Sequence, residues 1–205
     1  MFKKGIDISH WNGDIDFIKV KGANIDYVFI KATEGATYHD PLYVKNRSGA
    51  LSAGMKAGTY HYFRALSSTP EAQKDNIVNV LTKNGFNSSH EYLALSVARV
   101  GNEEAKPEVI ADNLYKLLLL LGKEYIIGDR KPLIYCSKGF WDESVAGDRH
   151  NFSEYPLWVA NWDVDEPKIP QTWSKAGKTW SVWQYSSKGS IPGINGDVLL
   201  DNVRL

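Results

Sequence analysis

The amino-acid sequence predicts an α/β barrel whose final third has lost its helices, and three observations carry that prediction. Strand-like apolar runs alternate with helix-like segments through the first two thirds of the chain. An inner run such as residues 27–32 (YVFIKA) is apolar almost throughout, as a parallel strand buried on both faces must be. Beyond residue 136 strand-like runs recur without a convincing helix between residues 157–162 and 179–185. Periodicity alone leaves an open doubly wound sheet as the alternative.

Each element has its local reason. Residues 5–9 read as the first strand, and residues 14–21 as one or two helical turns. After the strand at 27–32, residues 41–53 read as a helix with Pro41 at its start and Gly54 as its stop. Residues 59–63 form a third strand. Ser68-Thr69-Pro70-Glu71 then supplies a hydroxyl cap, a first-turn proline and an acid at the positive end of the helix dipole, for a helix running to about Asn84-Gly85. Residues 92–100 read as the fourth strand, 107–121 as a helix and 132–136 as the fifth strand. Three further strands fall at 157–162, 179–185 and 197–200.

The chain has 205 residues, enough for one domain over 1–205 with a full core. Lys+Arg and Asp+Glu number 24 each, so no net charge draws it to nucleic acid or to an anionic membrane. The leucine run at 117–121 is far too short for membrane insertion and reads as a buried helix face. Cys136 is the single cysteine, which excludes an internal disulfide and leaves the redox compartment open. The five histidines, His10, His39, His61, His90 and His150, show no metal-ligand spacing, so neither a metal nor a cofactor is expected. Basic residues near the start have no apolar signal core behind them. The expectation is a cytoplasmic protein, or one delivered to the cell wall by a route without a signal peptide.

Residues 5–13 (GIDISHWNG) are similar to the opening motif of glycoside hydrolase family 25, the Chalaropsis-type lysozymes or muramidases. The likeness continues in order through residues 29–35 (FIKATEG), 58–63 (GTYHYF), 132–135 (PLIY), 156–160 (PLWVA), 183–187 (WQYSS) and 193–198 (GINGDV). Each motif is weak alone; the ordered set, covering almost the whole chain, is specific. The resemblance implies a TIM-like barrel of (β/α)5(β)3 type with a groove at the C-terminal ends of its strands. It further implies four acidic groove positions. Asp7 keeps the first. The Asp and Glu of the family's fourth-strand pattern fall on Ser96 and Ala98, and the closing Asp falls on Leu199.

These replacements bear directly on chemistry. Glycosidic cleavage normally uses two carboxyl groups, one to protonate the leaving oxygen and one to attack or stabilise the oxocarbenium-like centre or to activate water. Strand residues i and i+2 point to one face about 6.5–7 Å apart, so Ser96 and Ala98 retain the geometry without an ionisable group. Loss of a general acid alone costs about 10²–10⁴ in rate. A one-residue shift turns Val97 and Arg99 inward and supplies no carboxylate. The expectation is therefore a lysozyme-like pseudoenzyme that binds peptidoglycan or a related amino-sugar glycan, or a protein partner, through its groove. Asp7, Glu34, Tyr62, Tyr135, Trp158, Trp183, Gln184 and Tyr185 are the ligand-binding candidates, since sugars stack on aromatic rings while polar groups take their hydroxyls. For the aromatics the competing role is plain barrel packing. Two alternatives stay open. One is an active muramidase with relocated carboxylates, Asp7 with Glu34 or a loop acid such as Glu103, Glu104, Asp163, Asp165 or Glu166. The other is a structural or interaction module with a vestigial groove.

Overall fold

The computed structural model describes residues 2–205. Its strands, in chain order, are β1 (Lys3–Ile8), β2 (Tyr27–Glu34), β3 (Tyr38–His39), β4 (Lys56–Tyr62), β5 (Tyr92–Ser96), β6 (Leu133–Ser137), β7 (Leu157–Ala160), β8 (Trp180–Gly189) and β9 (Val198–Val203). The sheet runs β1-β9-β8-β7-β6-β5-β4-β2, and a parallel β1–β2 pairing closes it into a barrel. All neighbours are parallel except β9, which descends antiparallel between β8 and β1. The two-residue β3 folds back on the end of β2 outside the ring.

The helices are α1 (Phe17–Gly22), α2 (Tyr43–Ser52), α3 (Pro70–Lys83), α4 (Pro107–Leu121), α5 (Lys138–Ser144) and α6 (Gln171–Ser174). Five strand–helix units are thus followed by three strands, with α6 a single turn between β7 and β8. Thr69 caps α3 by accepting from the Ala72 amide at 3.2 Å, with Pro70 in the first turn, and Gly85 leaves the helix at φ +67°. The α5 segment carries no helical periodicity; it forms because the Ser137 hydroxyl accepts from the Phe140 amide at 3.3 Å. The expected start of the second helix moves from Pro41 to Tyr43, because the Asp40 carboxylate and carbonyl take the Leu42 and Tyr43 amides in a turn.

The expected strand at 92–100 ends early, at Ser96. Barrel hydrogen bonding persists one step, with the Phe63 amide on the Ser96 carbonyl and the Val97 amide on the Tyr135 carbonyl. The chain then turns, because the buried Asn102 amide donates to the Ala98 and Phe63 carbonyls while its oxygen accepts the Ala65 amide at 2.7 Å.

The barrel interior is filled by Tyr27, Phe29, Ala94, Leu133, Trp158, Val182 and Val203. The outer faces of the strands pack against the helices in two larger apolar clusters. Interior packing explains Gly58: a Cβ there would lie 2.3 Å from the Phe29 ring. No helix of the described residues is long and apolar enough to cross a membrane.

Candidate functional site

A cavity of about 170 Å³ opens at the C-terminal ends of the barrel strands, lined by Asp7, Tyr60, Tyr62, Ser96, Ala98, Tyr135, Trp158 and Leu199. β1 delivers Asp7, and the inward period of β5 and the residues after it delivers Ser96 and then Ala98. Antiparallel pairing sets Leu199 of β9 directly opposite Asp7. The four positions that the sequence resemblance aligns with acids therefore converge on one cavity, and Asp7 is the one carboxyl group in its wall.

Asp7 belongs to a buried polar network that crosses the barrel floor. Its Oδ2 accepts from Gln184 Nε2 at 2.7 Å. Gln184 is oriented by its own oxygen, which accepts from Tyr135 Oη at 3.1 Å and from Trp162 Nε1 at 2.9 Å. Two residues beyond Leu199 on the same strand face, Asp201 is wholly buried behind Asp7, its Oδ2 without a hydrogen-bond partner. Its Oδ1 accepts from Trp158 Nε1 at 2.8 Å. Burial raises the Asp7 pKa to about 7, against the pull of its bonds from Gln184 and Asp201. Burial and the adjacent Asp7 charge push Asp201 well above the ordinary carboxylate range, although the Trp158 bond favours its ionised form. The floor is thus poor in charge at neutral pH, although it holds two acids.

Glu34 lies outside the cavity lining, in an ionic cluster. Its Oε2 accepts from Lys31 Nζ at 2.6 Å and its Oε1 from Arg64 Nε at 2.9 Å. Burial pushes its carboxyl up, but Lys31 and Arg64 outweigh that and hold it below the usual range. An acid held ionised between two cations is not a proton donor. Lys31 and Arg64 also sit over the Tyr62 ring, 5.1 and 4.9 Å from its centroid. Tyr62 Oη and Arg64 Nη1 both donate to the Val100 carbonyl, at 3.1 and 2.9 Å, which ties the loop after β5 to the groove edge.

Trp158 reaches the cavity from the interior packing, against Phe29 at 4.5 Å and Tyr135 at 4.9 Å between ring centroids. Trp183 and Tyr185 are not brought to the groove. Both pack on the outside of the barrel, because Gln184 between them takes the inward position; Trp183 donates to the Asn161 carbonyl at 2.8 Å, and the Tyr185 ring lies under Lys4 Nζ at 4.8 Å. The loop acids Glu103, Glu104, Asp163, Asp165 and Glu166 are absent from the cavity wall. His61 is buried on the outer face of β4. Its Nε2 donates to Gln73 Oε1 at 3.0 Å, since that oxygen's amide nitrogen already donates to the Arg64 and Ser68 carbonyls, so Nδ1 accepts from Thr33 Oγ1 at 2.8 Å. Burial lowers its pKa to about 4, so it is neutral. No cluster of three His, Cys, Asp or Glu side chains among the described residues could hold a metal ion.

Sequence reasoning missed Asp201, Tyr60 and Trp162. The period of two would have found the first two: Asp201 shares a strand face with Leu199, and Tyr60 shares one with Tyr62. Trp162 follows the end of β7, and no sequence signal marks it as the hydrogen-bond partner of Gln184.

Comparison with known proteins places this geometry. The sequence profile of Glycosyl hydrolases family 25 matches residues 6–194. Lysozyme M1 of Streptomyces globisporus is 30% identical over 204 residues, 95% of this chain and 65% of that protein. The autolytic lysozyme of Clostridium acetobutylicum is 31% identical over 199 residues, 97% of this chain and 55% of that protein. The chain therefore spans less than two thirds of the length of these curated relatives. The crystal structure of the bacterial lysozyme from Streptomyces coelicolor superposes with a TM-score of 0.86 at 26% identity, covering 100% of this chain and 93% of that one.

Proposed function

This chain belongs to glycosyl hydrolases family 25, and from that premise we propose that it is a lysozyme-like protein that holds a peptidoglycan-type glycan in its groove without cutting it. The carrying observation is the cavity wall, where Ser96, Ala98 and Leu199 stand beside Asp7 as its single carboxyl group. Two-carboxyl hydrolysis has no second partner there. Asp201 lies beneath the wall, bonded to Trp158, and Glu34 is neutralised outside it. Neither substitutes for an acid aimed into the groove.

Binding capacity has separate support. Tyr60, Tyr62, Tyr135 and Trp158 present aromatic surface around the cavity, and Ser96 and Asp7 present polar atoms between the rings. An amino-sugar glycan is the ligand class that this mixture and the family fit. The test pairs calorimetric titration with muropeptides and chitooligosaccharides with a turbidity assay on a peptidoglycan suspension. The expected result is sugar binding, weakened by Tyr62→Ala, without turbidity loss. Turbidity loss abolished by a groove substitution would overturn the reading. Failure to bind millimolar sugar, with tight binding to a protein, would replace it with an interaction module.

A further inference from the structure

The polar floor contains a feature that neither the family pattern nor the proposed binding role requires: a second buried carboxyl group, Asp201, behind Asp7. The two side chains come from adjacent strands. Asp7 is opposite Leu199 and Gly5 is opposite Asp201, so Asp7 and Asp201 are diagonal neighbours on the inward face. Asp7 is 5% exposed and Asp201 0%. Each receives one neutral donor, Asp7 from Gln184 and Asp201 from Trp158. Asp201 Oδ2 has no hydrogen-bond partner, although it is buried. Two carboxylates cannot lie side by side in this setting without a cation, and no lysine, arginine or histidine lines the cavity. A proton on Asp201 Oδ2, directed at Asp7, satisfies that oxygen and removes the repulsion.

We propose that Asp201 keeps a proton directed at Asp7 and acts as its positioning residue, and that Asp7 takes up a second proton to become a hydrogen-bond donor toward acceptor oxygens of a glycan, so that groove binding is coupled to proton uptake. The ligand half of this proposal rests on the glycan-binding reading. Its direction follows from the wall. The Tyr62 hydroxyl donates to Val100 and the Tyr135 hydroxyl to Gln184, so neither proton is free for a sugar. Most of the wall is aromatic or aliphatic, and a sugar seated there excludes the remaining water from Asp7. Desolvation favours the neutral acid. A neutral acid also offers the proton that an acetamido carbonyl or ring oxygen needs.

The other titratable groups facing Asp7 are Tyr60 from β4 and Tyr135 from β6, both held protonated by burial and by the neighbouring Asp7 charge. Gln184 from β8 and Trp158 from β7 do not titrate, and Leu199 from β9 and Phe29 from β2 are apolar. The proton traffic of the floor therefore belongs to the pair. It titrates as a unit, the first proton leaving near the value of about 7 given by Asp7.

The experiment is calorimetric titration with a β-1,4-linked N-acetylglucosamine tetramer from pH 5.5 to 8, beside carbon-13 NMR titration of the aspartate carboxyl groups without sugar. In the wild-type protein the Kd is expected to be flat below about pH 6 and to rise as much as about tenfold per pH unit above 7. In Asp201→Asn the amide keeps an acceptor for Trp158 and a donor for Asp7, so the Asp7 midpoint and the pH profile are retained, whereas Asp201→Leu removes the donor and raises the Asp7 midpoint. The Kd of Asp201→Leu then stays flat to a higher pH than that of the wild-type protein. The wild-type profile needs no variant to fold. A Kd unchanged between pH 5.5 and 8, or a carboxyl midpoint unmoved by Asp201→Leu, overturns the proposal. A tetramer that binds at no pH, beside a midpoint near 7 that Asp201→Leu raises, overturns the glycan-binding reading and its proton coupling and supports the protonated Asp201.

Discussion

Raising the pH from 6.5 to 8 should destabilise this protein, and the magnitude can be worked from the barrel floor. Asp7 has its pKa raised from 3.8 to about 7 by burial, and Asp201 is raised well above 3.8 by burial and by Asp7. Both acids keep a proton in the native state that the unfolded chain loses near pH 4. Stability from raised acids is fully present below their unfolded pKa and is lost as pH climbs through the folded one. Each such proton gives a slope of about −1.4 kcal/mol per pH unit. Below pH 6.5 that slope is partly offset by His61, lowered to about 4 by burial, which destabilises the fold as pH falls through its unfolded value of 6.5. Above pH 6.5 the unfolded histidine loses its remaining half proton, so His61 offsets the loss by less than about 0.5 kcal/mol. Asp7 alone accounts for a loss of roughly 1 kcal/mol by pH 8, and Asp201, raised in the same direction, adds to it. Urea denaturation at pH 6.5, 7.0, 7.5 and 8.0 measures it as a falling midpoint at constant m-value. Asp201→Asn should flatten the profile. A wild-type midpoint that is level or rises across this window would refute the reasoning.

Other perturbations test the supports of the groove. In Trp158→Phe the buried ring shrinks and Asp201 Oδ1 loses its donor, so urea denaturation should record a loss of about 1–3 kcal/mol. Gly101 has φ +76°, and a Cβ there would lie 1.1 Å from Arg64 Nη1. Gly101→Ala should therefore cost about 2 kcal/mol in backbone strain and displaced guanidinium, read as a lower thermal midpoint. The combined Ser96→Asp, Ala98→Glu and Leu199→Asp variant places new carboxyls around Asp7; it should be less stable than wild type through like-charge repulsion and should release reducing ends from peptidoglycan.

The barrel was legible in the sequence because strand burial and helix capping are local. The run YVFIKA and the Thr69-Pro70 helix start each state their own structure. The α5 helix was not legible, since a seven-residue helix with Gly139 inside it depends on the Ser137 cap and on packing against β6. At the site, the alignment of Ser96, Ala98 and Leu199 with Asp7 could be read from ordered motifs. The sides taken by Trp183 and Tyr185 could not be told by residue type, because aromatics serve core and groove alike. Gln184 decides them: once its amide is tied to Asp7 and Tyr135, its neighbours must point out. Asp201 was hidden because it falls outside the family's acidic positions, and its importance appears only when β9 is laid antiparallel against β1.

The account turns on whether glycosidic bonds are broken. The most direct measurement is the release of reducing ends from purified peptidoglycan between pH 4 and 8 by the wild-type protein, with the three-carboxylate variant as the positive arm. The account predicts no release above buffer for the wild-type protein at any pH. Release by the wild-type protein that disappears in Asp7→Asn would contradict it and establish a hydrolase working from the retained carboxyl.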